Sequence, residues 1–376
     1  MTSSYPTAER PIDAIFVKEH ARAAARHADV AVVHLDRIED APLLPVPMRA
    51  DEDEFPTWRV AYRRKPAPLS YAANLVAAFR AYSRVRRSGF EPDVIHANFF
   101  LTGIPAVLLG RLHRKPVVLT EHWSVFLAED PASLGRLMTR AARFAFEGAD
   151  IVLPVSGALR DAIVRTTGAR TRFRVVPNVV DEELFAPPCV RDAINDTARI
   201  VGVGDVYEPK GWDVLIEAVA ELRGRRQDFI VDIVGEGPLE EVYRSRAREL
   251  GLDGVVNFLG YRPKPEVASI MQGADLFVLP SRYENSPCAI GEALSTGVPV
   301  VATKVGGVPE LVGDENGLLA RAGDRQSLAT QIERALDRSD LFDRSAIAAA
   351  ARVRFGLATV GRTLAEVYTD VTQGRR

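Results

Sequence analysis

The feature that most constrains the fold is a repeated alternation of short β-rich runs with helical stretches. In the first half of the chain the β-rich runs are DVAVVHL (29–35), DVIHAN (93–98), PVVLTEH (116–122), DIVLPVS (150–156) and FRVVPN (173–178). Between them lie stretches such as YAANLVAAFRAYSRVRRSG (71–89), whose apolar residues recur at helical spacing. Strand and helix in steady alternation predict an α/β fold, with a parallel sheet covered by helices on both faces.

The alternation stops at Pro187–Pro188 and then restarts, which indicates two domains. The second set of β-rich runs is RIVGVGD (199–205), DFIVDIVGEG (228–237), VVNFLG (255–260), DLFVLPS (275–281) and PVVATKV (299–305). A chain of 376 residues is also longer than one ordinary core requires. We predict two doubly wound domains, 1–187 and 188–354, with a terminal helix at about 355–376 that could pack back on the first. The carboxyl ends of their strands would face a cleft, where such sheets bind ligands.

Composition excludes several classes of protein. The net charge of −2 gives no general attraction for nucleic acid, and two distant cysteines fit a reducing cytoplasm better than a disulfide framework or a zinc site. No apolar run is long enough to cross a membrane, and MTSSYPTAERP lacks the apolar core of a secretion signal. The acidic triplet Asp51–Glu52–Asp53 lies in a polar, proline-flanked stretch, so we interpret it as solvated. We expect a cytoplasmic protein without a metal.

Glycines and a lysine follow two of the predicted strands. Gly204 in GVGD would let a pyrophosphate approach the backbone, but the third glycine of a dinucleotide fingerprint is absent, which counts against a nicotinamide site. Lys210 comes just before an amphipathic helix, where a phosphate can bind, although a lone lysine is usually only solvated. Gly306 and Gly307 form a second strand-to-helix turn with backbone N–H groups at a helix start. Together these features favour a diphosphate.

Two glutamates stand eight positions apart in one loop-and-helix segment. Glu284 belongs to the loop after the buried run DLFVLPS, and Pro287 suits the first position of a helix that carries Glu292. A carboxylate binds vicinal hydroxyls well because it accepts two hydrogen bonds. The pair could therefore hold two sugars; the alternative is one helix-capping and one solvated glutamate.

The run PSRYENSPCAIGEALSTGVPVVATKVGGVPELV resembles the nucleotide-sugar signature of retaining glycosyltransferases of family 4, which have the GT-B fold. Further landmarks in the family's order are DVIHAN, VVLTEHW, VSGALRDAI, VVPNVVDEELF, KGWDVLIEAV and IVGEGP. The resemblance implies an enzyme that transfers a hexosyl group from a nucleotide-diphosphate sugar to a hydroxyl of a glycan or lipid-linked glycan. It implies no metal and no cofactor.

The resemblance also implies roles for particular residues. Glu292 would bind the ribose of the donor, and Glu284, with Asn285 and Ser286 beside it, would bind the transferred sugar. Lys210 would neutralise the leaving diphosphate next to Gly204, helped by the N–H groups of Gly306 and Gly307. His122 in TEHW matches a histidine that approaches the donor sugar; the alternative is an ordinary strand-end histidine. His122, Lys210 and Glu284 are thus the candidate catalytic residues.

Three departures from the family pattern stand out. Asp205 and Gly204 occupy the place of a usual arginine, and Asn285–Ser286–Pro287 replaces a glycine-rich loop. Residues 3–25 resemble the loop and helix that follow the family's first strand, yet no apolar strand precedes them. We expect a start upstream of Met1 rather than a true loss of that strand, which would leave an unpaired position inside a parallel sheet.

Two other functions remain open: a nucleotide-sugar epimerase of the same fold, and a degenerate protein that binds nucleotide sugars without catalysis. The donor base, the sugar and the acceptor cannot be read from the sequence. Two arginine stripes at helical spacing suggest weak peripheral contact with an anionic membrane, although a plainly solvated surface is the simpler explanation. The stripes are Arg80, Arg84 and Arg87, and Arg136, Arg140 and Arg143.

Overall fold

A computed structural model describes residues 1–42, 44–50, 54–63, 69–127, 134–188, 197–338 and 341–374. The acidic triplet 51–53 and residues 189–196, with Cys189 and most of the interdomain segment, lie outside the described residues. The chain divides into unit 1, Met1–Val179 with Leu357–Arg376, and unit 2, Val180–Gly356. The division after Val179 comes earlier than the proline pair at 187–188. The Val180 N–H donates to the Phe355 carbonyl, and Val180 and Phe185 pack in the core of unit 2.

Unit 1 contains two separate three-stranded sheets, in the orders β1-β3-β2 and β4-β5-β6. Its strands are β1 (Val32–Ile38), β2 (Pro47–Ala50), β3 (Thr57–Arg63), β4 (Ile95–Asn98), β5 (Val117–Glu121) and β6 (Ile151–Pro154). Its helices are α1 (Ile15–Ala25), α2 (Leu69–Arg87), α3 (Phe100–His113), α4 (Arg136–Gly148), α5 (Gly157–Thr167) and α13 (Leu357–Gln373). The terminal helix α13 packs against α1.

Two features of unit 1 differ from the sequence-based prediction. Strands β2 and β3 were not predicted, and β2 runs antiparallel to β3. The run FRVVPN forms an isolated bridge between Phe173 and Val152 rather than a strand. The Val152 N–H donates to the Arg172 carbonyl, and the Val176 N–H donates to the Pro154 carbonyl. A further bond of this ladder would require an N–H group on Pro154. Proline has none, so the ladder is interrupted.

Unit 2 contains one parallel six-stranded sheet in the order β12-β11-β10-β7-β8-β9. Its strands are β7 (Ala198–Val203), β8 (Phe229–Val234), β9 (Val256–Gly260), β10 (Leu276–Leu279), β11 (Val300–Thr303) and β12 (Gly317–Ala320). Its helices are α6 (Trp212–Arg223), α7 (Glu240–Glu249), α8 (Lys264–Gln272), α9 (Cys288–Ser295), α10 (Val308–Leu311), α11 (Arg325–Asp337) and α12 (Arg344–Phe355). The predicted class, α/β with doubly wound parallel sheets, is confirmed.

The strand order of unit 2 positions the candidate site. From β7 the chain moves outward through β8 and β9, then returns to β10 on the other side of β7 and moves outward through β11 and β12. The order therefore reverses between β7 and β10, and open α/β sheets bind ligands beyond the carboxyl ends of strands at such a point. Every residue of β10 and β11 is buried, as expected for central strands covered on both faces.

Candidate functional site

Lys210 and Glu284 meet where the strand order reverses. Lys210 lies in a short 3-10 turn (Glu208–Lys210) after β7, and Glu284 lies in the loop after β10. The Lys210 Nζ is 2.6 Å from the Glu284 Oε1, and the Ser281 hydroxyl donates to the same oxygen at 2.9 Å. The Lys210 side chain is 27% exposed and that of Glu284 only 10%. The sequence suggested separate roles for these residues, but the structure joins them in a half-buried ion pair.

Gly211 permits this close approach. Its φ is 70°, and a Cβ added there would lie 2.2 Å from the Pro280 carbonyl oxygen. Any side chain would thus force the turn that carries Lys210 away from the loop that carries Glu284. In the sequence, Gly211 directly follows Lys210 and precedes Trp212, the first residue of α6.

A second ion pair joins the same two loops, and the sequence analysis did not predict it. Arg282 and Asp213 form a two-pronged contact, with N–O distances of 2.7 and 2.5 Å. Arg282 also donates to the Glu208 carbonyl from its side chain at 3.0 Å, and to the Pro209 carbonyl from its backbone at 2.8 Å. Burial raises the pKa of Asp213, but the hydrogen bonds and charge of Arg282 outweigh it, so this pKa lies below its ordinary value.

The Arg282–Asp213 pair also changes how the start of α6 is interpreted. The sequence suggested a phosphate at this helix N-terminus, whereas Asp213 already places a carboxylate in the first turn. A signal for the pair was present: Arg282 precedes Glu284 by two residues, and Asp213 follows Gly211 by two. Only the neighbouring positions of β7 and β10 show that the two charges meet.

The glycine turn after β11 lies against the Glu284 loop. The Gly307 N–H, predicted to bind the donor, donates to the Asn285 carbonyl at 3.0 Å and so holds this loop in the structure. Gly306 has a φ of 49°, in the left-handed region that favours glycine. Asn285 and Ser286 are both buried. Gly204 lies beside Lys210, because a Cβ built there would be 3.6 Å from the lysine side chain.

Glu292 lies on α9 with a largely buried side chain. Its Oε1 is 4.0 Å from the Nζ of Lys264, the first residue of α8. The sequence reasoning missed this lysine, although it follows β9 at the same edge of the sheet as the other candidate residues. Asp205, at the position of the family's usual arginine, is exposed, and its carbonyl accepts a hydrogen bond from the Trp212 indole at 3.0 Å.

In unit 1, His122 follows β5 in a buried aromatic environment. Its Nε2 is 2.9 Å from the Asn98 Oδ1, and the Phe16 and His20 rings have centroids 4.6 and 5.3 Å from its own. Burial, and then the nearby histidines His20 and His96, hold the pKa of His122 well below its ordinary value. The imidazole is therefore neutral, and with Oδ1 as the acceptor its Nε2 carries the hydrogen. Asn98, which received no role from the sequence, is its hydrogen-bond partner.

The adjacent Glu121 shapes the loop that holds His122. Its carboxylate accepts backbone hydrogen bonds from Phe100 at 2.8 Å, His122 at 3.0 Å and Trp123 at 2.8 Å. Burial raises the pKa of Glu121 to about 7, although these three N–H groups favour the charged form. Glu121 is a positioning residue that the sequence pattern did not distinguish from the rest of TEHW.

Comparison with solved structures identifies the class of fold. The Anabaena protein Alr3699/HepE, solved in complex with UDP, aligns with a TM-score of 0.72 and 22% sequence identity over 95% of each chain. This likeness shows the GT-B glycosyltransferase fold.

Comparison of sequences identifies the family. Residues 14–184 match the model described as Glycosyltransferase Family 4, and residues 197–338 match Glycosyl transferases group 1. The D-inositol 3-phosphate glycosyltransferase of Corynebacterium efficiens is 31% identical over 76% of this chain and 73% of its own length. That of Corynebacterium aurimucosum is 33% identical over 65% of this chain and 63% of its own length. The chain therefore belongs to glycosyltransferase family 4, a family of transferases.

Proposed function

We propose that this protein transfers a hexosyl group from a nucleotide-diphosphate sugar to an acceptor hydroxyl of a glycan or lipid-linked glycan, with retention of anomeric configuration. The observation that carries the proposal is the Lys210–Glu284 ion pair beyond the carboxyl ends of β7 and β10. This pair supports the proposal because a lysine can balance part of the charge of a diphosphate and a carboxylate can accept hydrogen bonds from sugar hydroxyls.

Lys210 would stabilise the negative charge that develops on the leaving diphosphate. The contact with Glu284 holds its ammonium group in place before the reaction, so little reorganisation is needed. Because the Lys210 ammonium can balance part of the diphosphate charge, we propose that turnover needs no divalent metal. Activity that survives EDTA supports this, and activity that EDTA abolishes and Mg²⁺ restores contradicts it.

Glu284 and Glu292 would bind the two sugars of the donor. Both Lys210 and Ser281 contact Oε1 of Glu284, which leaves acceptor capacity on Oε2 for a sugar hydroxyl. Glu292 is assigned to the ribose, with Lys264 close enough to orient it. A nucleotide-sugar donor is supported by the fold likeness to HepE, which was also solved with UDP-glucose. In unit 1, the role that the family assigns to His122 would fall to a neutral imidazole.

A donor screen tests the proposal. UDP-, GDP- and ADP-sugars are incubated with and without acceptor glycans, and release of the nucleoside diphosphate is measured; NMR of the product gives the anomeric configuration. We expect acceptor-dependent release from one donor base. Isomerised sugar formed without acceptor would indicate the epimerase, and calorimetric binding of UDP or GDP without turnover would indicate a non-catalytic protein.

The Glu292 assignment has its own calorimetric test. Glu292→Ala should weaken binding of the nucleoside diphosphate by about 1.5–3 kcal/mol, because a charge-assisted hydrogen bond to the ribose is lost. Glu266→Ala on α8 is the matched control, since that glutamate is exposed. Equal affinity of Glu292→Ala and the parent protein would show that the ribose binds elsewhere.

We also propose that the protein works in the cytoplasm with weak peripheral contact to anionic lipid. Among the described residues, no helix combines the length and apolar character that crossing a membrane requires. All six arginines of the two stripes are exposed on α2 and α4. On α4, the exposed Leu137 lies between Arg136 and Arg140 in the sequence and adds an apolar contact to that stripe.

A further inference from the structure

The ion pair between Lys210 and Glu284 joins two groups that the proposed function assigns to different parts of the donor. Lys210 is assigned to the diphosphate and Glu284 to the transferred sugar, yet the Lys210 Nζ donates to the Glu284 Oε1 at 2.6 Å. A diphosphate and the Glu284 carboxylate therefore compete for the same ammonium group. The two side chains are 27% and 10% exposed, so solvent and salt screen this competition only in part.

The neighbouring cation, Arg282, is already engaged. Its two terminal nitrogens contact the Asp213 carboxylate at 2.7 and 2.5 Å, and one of them also donates to the Glu208 carbonyl at 3.0 Å. Asp205, in the same loop as Lys210, is an exposed acidic residue. Attraction of a diphosphate to this loop thus depends on how readily Lys210 leaves its carboxylate partner.

Glu284 keeps one identified hydrogen bond when Lys210 turns to a diphosphate. The Ser281 hydroxyl donates to the Glu284 Oε1 at 2.9 Å, and Ser281 is completely buried. A largely buried carboxylate is costly to leave with so little compensation. A bare nucleoside diphosphate brings phosphates and a ribose, and the ribose is assigned to Glu292. It therefore supplies no hydroxyl group to Glu284 in place of the ammonium group.

A nucleotide sugar supplies that replacement. The hydroxyl groups of its sugar can donate to Oε2 of Glu284, and such hydrogen bonds to a charged acceptor are strong. Lys210 can then turn to the diphosphate while Glu284 remains hydrogen-bonded. The exchange of partners costs less for the complete donor than for the diphosphate alone.

We propose that Glu284 is a specificity-determining residue: by holding Lys210, it makes the site select a complete nucleotide sugar over the bare nucleoside diphosphate. The inference rests on the proposed function, which assigns the two residues to the two parts of the donor. Specificity is a difference of two affinities, and here it arises by weakening the binding of the wrong ligand. It also favours product release, because Lys210 returns to Glu284 once the sugar has left for the acceptor.

Glu284→Gln tests the competition, since it removes the charge and nearly keeps the shape of the side chain. Calorimetry measures the affinity for UDP, GDP and ADP, for UDP-glucose, GDP-mannose and ADP-glucose, and for inorganic pyrophosphate, which carries no base. We expect the variant to bind the bare diphosphates about fivefold or more tightly than the parent protein, and the nucleotide sugar no more tightly. The gain should shrink at high salt.

Three further variants separate this competition from other effects. Glu208→Gln is the matched control, because it removes an exposed carboxylate two positions before Lys210, and it should change each affinity by less than about twofold. Lys210→Ala combined with Glu284→Gln should lose the gain. Ser281→Ala removes the hydrogen bond that Glu284 would keep, so it should weaken the bare diphosphate by about threefold and the nucleotide sugar less. Thermal unfolding verifies that each variant is folded.

Two results overturn the inference: Glu284→Gln that binds the bare diphosphates no more tightly than the parent, or an equal gain in Glu208→Gln, which would be a general effect of charge. Failure of the proposed function gives a different pattern, in which Glu284→Gln shows the gain but no donor yields acceptor-dependent turnover with the parent. Absence of binding of all seven compounds to the parent and to Glu284→Gln overturns both.

Discussion

The two units of this protein differ in the organisation of their sheets and in the charge of their candidate site residues. Unit 2 has one continuous parallel sheet, and its candidate site consists of fixed charges: Lys210 with Glu284, and Arg282 with Asp213. Unit 1 has two separate three-stranded sheets, and its candidate residue His122 is a buried neutral ring. All six histidines of the chain lie in unit 1, at positions 20, 27, 34, 96, 113 and 122.

This comparison indicates where side chains remain charged in this fold. At the carboxyl ends of β7 and β10 the charged groups stay partly exposed and meet opposite charges at hydrogen-bond distance, so ionisation is favourable. Behind β4 and β5, burial is the main cause that lowers the pKa of His96 and His122, so these rings are neutral at pH 7. Unit 2 should therefore respond to removal of a charge, and unit 1 to pH.

Lys210→Ala should have the largest effect. Loss of a well-placed charge should lower turnover by about a hundredfold or more, and Glu284 would lose its cationic partner. Steady-state kinetics and thermal unfolding measure the two consequences, with Lys115→Ala in unit 1 as the matched control. Turnover close to that of the parent protein would contradict the catalytic role assigned to Lys210.

Asp205→Arg, at the family's usual arginine position, should keep or raise turnover, measured by the same kinetics.

Gly211→Ala tests whether turnover and stability depend on the close approach of the Lys210 turn to the loop that carries Glu284. The new Cβ would meet the Pro280 carbonyl, so the Lys210 turn must shift. We expect about tenfold lower turnover and a loss of about 2–3 kcal/mol in unfolding free energy. Gly251→Ala is a close control: its φ of 68° is similar, but nothing lies within 4 Å of its Cβ. It should cost about 1 kcal/mol and leave turnover unchanged. Equal effects of the two substitutions would mean that only backbone strain matters.

His96→Gln tests the pH response assigned to unit 1. Burial, followed by the charge of the Met1 amine and of His20, lowers the pKa of His96 to about 3. Between pH 6.5 and pH 3 the native state therefore binds fewer protons than the unfolded chain, and stability falls as the pH drops. The loss from this residue should be about 2 kcal/mol at pH 5 relative to pH 7. Urea unfolding at both values should show a smaller difference in His96→Gln, by about that amount, and an unchanged difference in the exposed-residue control His27→Gln.

The smallest expected effect concerns the surface of unit 1. Each arginine near an anionic surface contributes about 1 kcal/mol, so α4 should bind phosphatidylglycerol vesicles weakly at low salt. Arg143 already pairs with Glu147 at 3.0 Å, which leaves Arg136 and Arg140 as the main contributors. Sedimentation should show salt-reversible pelleting that is lost in Arg136→Gln/Arg140→Gln and retained in Arg80→Gln/Arg84→Gln. Protein that stays in the supernatant at low salt would show that both stripes are only solvated.

Much of the candidate site could be predicted from the sequence because parallel strands end at a common edge. The runs before Lys210 and Glu284 have the apolar character of buried strands, so both residues could be placed in loops beyond them. The helix that carries Glu292 begins one residue later than predicted, because Pro287 is its extended N-cap and Cys288 is the first residue of α9. Periodicity and turn chemistry are local properties, and they determined the class of fold and the placement of Lys210 and Glu284. His122 became a candidate only through the family resemblance.

Only the tertiary structure decided which of these residues meet. Lys210 and Glu284 are 74 positions apart in sequence, and Arg282 and Asp213 are 69 apart. Their contacts depend on β7 lying next to β10, an order that no local pattern specifies. The same holds for Asn98 beside His122, which requires β4 to pair with β5. Strand order arises from how the whole core packs, so the pairing of these charges became visible only in three dimensions.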